Sequence, residues 1–93
     1  MPLFVLTCLD KPNALEVRMG AREAHLAWVK DKPLKLGGPF LDEAGQMAGS
    51  LLILEAEDLA AAQKFSADDP YTKAGLWASV DIRPFRVTID HWA

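Results

Sequence analysis

Residues 3–9, LFVLTCL, form an unbroken apolar run closed by the turn-like DKPN. Its length and composition predict a strand buried on both faces, with Asp10 at its C-terminal end, where side chains often project into a site. The period then changes. Leu15, Met19, Arg22, Leu26 and Val29 recur at spacings of 4, 3, 4 and 3, which predicts one face of a helix. Asn13 is placed to cap that helix, with Glu16 three residues on as the return half of a capping box. The stripe is interrupted: Arg22 stands at its centre, and Arg18 and His25 lie along one edge, a turn away on either side.

PLKLGGPFLD reads as a short strand, Leu34 and Leu36, that ends in a Gly-Gly-Pro corner. DEAGQ supplies a hairpin turn, and MAGSLLILEAE returns as a longer strand. Within it Gly49 marks a bulge or a close contact, and Ser50 is a candidate hydrogen-bond donor. A second helix is expected from about Asp58, with Leu59, Ala62 and Phe65 inward. It must end by Asp69, because a residue before proline avoids helical geometry. Asp69-Pro70 is equally a good start for a new short helix, an N-cap followed by proline at the first position, with Gly75 closing it. In the last stretch Leu76, Ala78, Val80 and Ile82 alternate with Trp77, Ser79, Asp81 and Arg83. This predicts a strand with one wetter face, and Pro84 marks an edge, a bulge or a break.

The resulting order, β-α-β-β-α-β, is the split-βαβ, ferredoxin-like α+β arrangement, an antiparallel sheet with both helices on one face. The 93 residues are enough for one domain, 1–93, and not for two. No third long helix is present to cover the second sheet face, so a homodimer is the simplest cover.

Composition narrows the function classes. A net charge of −3 without any Lys/Arg run argues against a nucleic-acid partner. No apolar stretch reaches the roughly 20 residues of a membrane span, and the N-terminus lacks the basic region of a signal peptide, so a cytoplasmic location is expected. One cysteine, Cys8, and two histidines, His25 and His91, offer no metal-ligand spacing, so no metal is expected. Cys8 among apolar neighbours is a poor nucleophile. Trp28, Trp77 and Trp92 suit core or interface anchors, and the terminal DHWA suits a tail or part of a subunit contact.

An arginine on a packing stripe needs a carboxylate or a bound anion. A histidine beside it, oriented by a carboxylate, is the arrangement of a general base. Asp10 and Asp69, both at element ends, are the candidate orienting groups. Plain structural roles compete: arginines snorkel past apolar edges, small-helix histidines are commonly half-buried, and Asp69 is a good cap.

Several blocks together resemble the YciI-like (YCII-related) family. They are LDK after strand one, Arg18-x3-Arg22-x2-His25-Leu26, Gly37-Gly38-Pro39, Gly49-Ser50, then Ala62, Phe65 and DDPY (68–71), and Arg83-Pro84-Phe85. The resemblance implies a ferredoxin-like chain that dimerises into an α/β barrel and needs no cofactor. It implies a catalytic pair, carried over onto His25 and Asp69, and more loosely a substrate pocket at Arg22, Gly38, Pro39 and Ser50. The loop KDKPLKLGG is shorter than is common in such proteins, which bears on the pocket mouth. The expected function is acid/base chemistry on a small anionic or phenolic molecule. The alternative is a non-catalytic dimeric ligand-binding or accessory domain.

Overall fold

The computed structural model describes residues 1–92. Its elements run β1 (Leu3–Asp10), α1 (Leu15–Val29), β2 (Leu34–Leu41), β3 (Met47–Glu55), α2 (Leu59–Asp68), α3 (Pro70–Lys73) and β4 (Trp77–Phe85). The four strands form one antiparallel sheet in the order β2-β3-β1-β4, the expected ferredoxin-like topology. Alternation divides the sheet. Phe4, Leu6 and Cys8 of β1 with Leu52 and Leu54 of β3 pack against Ala62 and Phe65 of α2 and Trp28 of α1. Leu3, Val5, Leu51 and Ile53 point to the opposite, helix-free face and are only half-buried.

Local chemistry explains most boundaries. Asp42 accepts from the backbone N–H of Ala44 and Gln46, and Gly45 takes a φ of 81°, closing the β2–β3 hairpin within DEAGQ. Asp58 caps α2 through the N–H of Ala61. Asp69, held extended before Pro70, ends α2 and caps α3 through the N–H of Tyr71. At Gly49 an added Cβ would lie 2.6 Å from the Cys8 carbonyl oxygen, so the close contact expected at this glycine is real.

Four expectations are corrected. Helix α1 does not use Asn13 as its cap: Asn13 sits at φ 56° in the preceding turn, and no side chain caps the helix start. The inward row is also displaced by one residue, about 100° of helix rotation. Ala14, Ala21 and Trp28 pack inward with Arg18 and His25, whereas Met19 is 51 % exposed and Leu15 and Leu26 are exposed as well. Small side chains at 14 and 21 allow close approach, and the two polar heads find partners inside. Arg22, placed at the stripe's centre by sequence, is exposed.

The Gly-Gly-Pro segment is not a corner. β2 continues through it to Leu41, with Pro39 opposite Ser50. Proline is tolerated there because β2 is an edge strand. Likewise β4 runs through Pro84 on the other edge. A β-bulge skips Ala78, so Trp77 pairs with Asp10 and turns inward instead of lying on the wetter face. Beyond β4, Val87, Ile89 and Trp92 share a hollow with Leu3, Leu36, Ile53 and Phe85 on the helix-free side. Ala93, the end of the DHWA tail, lies outside the described residues.

Candidate active site

The inward row of α1 faces the C-terminal end of β1 and the middle of β3, and two buried polar clusters meet there. In the first, Arg18 is 2 % exposed. Its Nε donates to Asp10 Oδ2 at 2.8 Å and its Nη2 to Asp10 Oδ1 at 2.9 Å, a two-pronged ion pair. The same Nη2 donates to Ser50 Oγ at 3.0 Å. Burial works against the Arg18 charge, but the hydrogen bonds and attraction of Asp10 outweigh it and hold its pKa above the ordinary value. The guanidinium also lies 4.8 Å from the centre of the Tyr71 ring and 5.6 Å from that of Trp77.

In the second cluster, His25 Nδ1 lies 2.8 Å from Asp69 Oδ1, with both side chains buried. A carboxylate can only accept, so Nδ1 is the donor and Nε2 is the nitrogen left for other contacts. The same Oδ1 accepts from the N–H of Tyr71 at 2.9 Å, so one oxygen caps α3 and fixes the imidazole. Tyr71 stacks on the imidazole, with centroids 4.1 Å apart at 17°. Burial raises the Tyr71 hydroxyl pKa, and the positive charges of Arg18 and Arg22 pull it partly back.

The clusters line one cavity of about 300 Å³, walled by Arg18, Arg22, His25, Ser50 and Tyr71 on the polar side. Leu26, Val29, Leu34, Leu52 and Met47 supply the apolar wall, and Gly37, Gly38 and Pro39 line the β2 edge. His25, Arg22, Gly38, Pro39 and Ser50 thus meet at one place, and Asp69 stands behind His25. Sequence left open which of Asp10 and Asp69 orients the histidine; Asp69 does so, and Asp10 neutralises Arg18. Sequence reasoning did not select Arg18 or Tyr71 as site residues. The signal for Arg18 was its position seven residues before His25, two turns along the same row as Ala14, Ala21 and Trp28. Arg22 forms no ion pair among the described residues, so its charge is available at the cavity. Cys8 lies beside these clusters with its thiol pushed up to about 12, first by burial and then by the Asp69 charge, so it stays protonated.

No group of three or more His, Cys, Asp or Glu suited to a metal occurs among the described residues. No described helix is long and apolar enough to cross a membrane.

Residues 2–86 match the YCII-related domain. The chain belongs to this family. It is 39 % identical over 94 aligned positions to an uncharacterized protein of Haemophilus influenzae, covering 89 % of this chain and 95 % of that one. It is 36 % identical to protein YciI of Escherichia coli, with 90 % and 96 % covered. Among solved structures it resembles the 5-chloro-2-hydroxyhydroquinone dehydrochlorinase TftG of Burkholderia phenoliruptrix, determined in complex with 2,5-dihydroxybenzoquinone. The TM-score is 0.81 at 37 % identity, covering 90 % of this chain and 93 % of TftG. A monooxygenase-type structure from Bacteroides thetaiotaomicron, at 12 % identity and TM-score 0.59, shares the fold alone. The expected family and the ferredoxin-like fold are therefore both found, and the likeness to TftG is compatible with an enzyme-like role on small molecules.

Proposed function

We propose that the cavity is an active site in which His25 moves a proton on a small, hydroxylated ring, with Arg22 taking the ligand's negative charge. The observation that carries this reading is the 2.8 Å bond from His25 Nδ1 to Asp69 Oδ1 behind a histidine that lines the cavity. With Nδ1–H committed to Asp69, the Nε2 lone pair is the base. The imidazolium formed when it takes a proton lies against a carboxylate, which stabilises it. The proton is then available for return to another atom of the same molecule or to a leaving group. Leu26, Val29, Leu34 and Leu52 suit the faces of a planar ring, while Ser50 and the β2 edge at Gly38 and Pro39 suit its polar rim. The resemblance to TftG supports a ring of the hydroxyhydroquinone class and an elimination: base removes H⁺, chloride departs, and HCl is lost overall without any net redox change.

The chemistry needs only acid and base groups already present in the chain. We further propose that a second copy covers the helix-free sheet face, where Leu3, Val5, Leu51 and Ile53 lie beside exposed Phe85 and Val87. Sedimentation equilibrium at micromolar concentration is expected to give twice the chain mass; a monomer would reject the dimer.

The function is tested by chloride release from 5-chloro-2-hydroxyhydroquinone. The His25→Gln variant is expected to lose roughly 10²–10⁴-fold in rate while still binding 2,5-dihydroxybenzoquinone. Wild-type protein that binds the quinone and releases no chloride faster than buffer would instead favour a ligand-binding module.

A further inference from the structure

Ser50 is 4 % exposed, sits in the middle of β3 and faces the cavity. Its hydroxyl can donate one hydrogen bond and accept two. Among the described residues it accepts one, from Arg18 Nη2 at 3.0 Å, and donates none. Its cross-strand neighbours are Cys8 on β1 and Pro39 on β2, and among the described residues no hydrogen bond runs from the Ser50 hydroxyl to either. A buried O–H without an acceptor costs free energy unless something in the cavity accepts it.

Arg18 fixes which end of the hydroxyl is spent. Its fork is locked by Asp10 through Nε and Nη2, so the N–H that reaches Ser50 comes from a rigid plane. An arginine has no acceptor to offer, so Ser50 can meet it only with a lone pair, and the serine proton is turned away from it.

We propose that Arg18, held by Asp10, is a positioning residue that orients Ser50 as a donor to a ligand oxygen, so that the cavity favours molecules carrying an acceptor oxygen at that point. This deepens the reading above and rests on the cavity's binding a small hydroxylated ring; it does not require that His25 be catalytic. Arg22 and Ser50 then divide the recognition. Arg22 attracts the net charge, and Ser50 reads the presence and place of one acceptor oxygen. A ring that presents only a C–H there would leave the serine proton without an acceptor.

The test uses 2,5-dihydroxybenzoquinone as the probe, with affinity and the visible band of the bound quinone as paired readouts. Ser50→Ala is expected to weaken binding about tenfold and to shift the band, because a hydrogen bond to a quinone oxygen is lost. Arg18→Lys keeps the charge but not the fork, and is expected to reproduce both changes. The double variant is expected to bind no more weakly than Ser50→Ala alone, since Arg18 acts through the serine. Where Arg18→Lys does not fold, Asp10→Asn combined with Arg18→Gln replaces the ion pair by neutral amides. It shortens the reach to Ser50 and is expected to match Ser50→Ala. Unchanged affinity and band in Ser50→Ala would overturn the donor role, and additive losses in the double variant would overturn the coupling. Wild-type protein that does not bind the probe would overturn the underlying cavity reading as well, a separate and visible failure.

Discussion

Asp69 holds two partners on one atom, and that makes its substitution unusually informative. Oδ1 accepts from His25 Nδ1 at 2.8 Å and from the Tyr71 N–H at 2.9 Å. Asp69→Ala removes the acceptor of both bonds. Loss of the cap costs about 1 kcal/mol, and the imidazole N–H left unpaired in a residue only 7 % exposed costs about 1–3 kcal/mol more. The sum, about 2–4 kcal/mol, lowers the melting temperature of a domain this size by about 4–8 °C per kcal/mol. Asp69→Asn keeps an oxygen that can hold the cap, so its stability cost is expected to stay within about 1 kcal/mol. Its effect on proton transfer is not small. The amide removes the charge that stabilises imidazolium, although its oxygen, held by the Tyr71 N–H, still accepts from His25 Nδ1 and keeps the ring in place. A rate loss of roughly 10²–10⁴-fold is expected in chloride release from 5-chloro-2-hydroxyhydroquinone. Circular-dichroism melts on both variants, set beside that assay, separate the roles. If Asp69→Asn keeps the wild-type rate, the charge is irrelevant and Asp69 is a cap alone. If it melts as early as Asp69→Ala and its activity follows its folded fraction, the reasoning fails in the other direction.

Three more outcomes follow from the same geometry. Arg18→Met strands the Asp10 carboxylate, which is buried with only 6 % of its side chain exposed, and should cost about 3–5 kcal/mol in urea unfolding; a loss below 1 kcal/mol would mean that water reaches Asp10 freely. Gly49→Ala places a Cβ 2.6 Å from the Cys8 carbonyl and 3.0 Å from a Phe40 ring carbon, so about 1–3 kcal/mol is expected, whereas Gly38→Ala meets nothing within 4 Å and should melt near the wild type. The Cys8 thiol stays neutral in the folded state up to about 12, against 9.0 for an ordinary thiol. Above pH 9 the unfolded chain therefore binds fewer protons than the folded one, and stability contributed by Cys8 is lost as pH rises toward 12. Tyr71, also raised, acts in the same direction. Cys8→Ala should flatten the fall in stability across that window, and an unchanged slope would place the cause elsewhere.

What could be read in the chain, and what could not, divides along one physical line. Elements whose signals are local were legible: the apolar run of β1, the DEAGQ hairpin, the Asp58 cap of α2 and the Asp69-Pro70 start of α3. Features decided by distant partners were not. Helix α1 carries two rows with the same 4, 3, 4, 3 spacing, and the greasier of the two, Leu15-Met19-Leu26, is the exposed one. The inward row is stabilised by Asp10, Ser50 and Asp69, which lie 8, 32 and 44 residues from their partners on α1. Hydrophobicity alone could not choose it. The bulge opposite Asp10 is equally non-local, and without it Trp77 reads as solvent-facing. Gly37, Gly38 and Pro39 read as a corner because both residue types mark turns. Their strand conformation follows from pairing with β3 at the sheet edge.

The candidate site shows the same division. His25 and Asp69 were selected by type and position and by the carry-over from the family, while the choice between Asp10 and Asp69 stayed open until the fold brought His25 against Asp69. Arg22 was selected for a burial that belongs to Arg18, yet it lines the cavity with its charge unspent. The residues that complete the polar wall, Arg18 and Tyr71, stand inside the blocks that resemble the family, but nothing in those blocks assigns them a role at the site. Their role becomes visible only when α1, β1, β3 and α3 are brought together.

The central claim is that small hydroxylated rings bind between α1 and β3, against His25. A crystal structure of the protein soaked with 2,5-dihydroxybenzoquinone tests it most directly. The expected result is the ring in the cavity with one atom about 3–3.5 Å from His25 Nε2, the Nδ1–Asp69 bond intact, and a quinone oxygen within hydrogen-bond reach of Ser50 Oγ. A quinone lodged instead in the separate hollow of about 370 Å³ beside Trp28, Lys32, Lys64 and Phe65, with the His25 cavity holding only solvent, would contradict it.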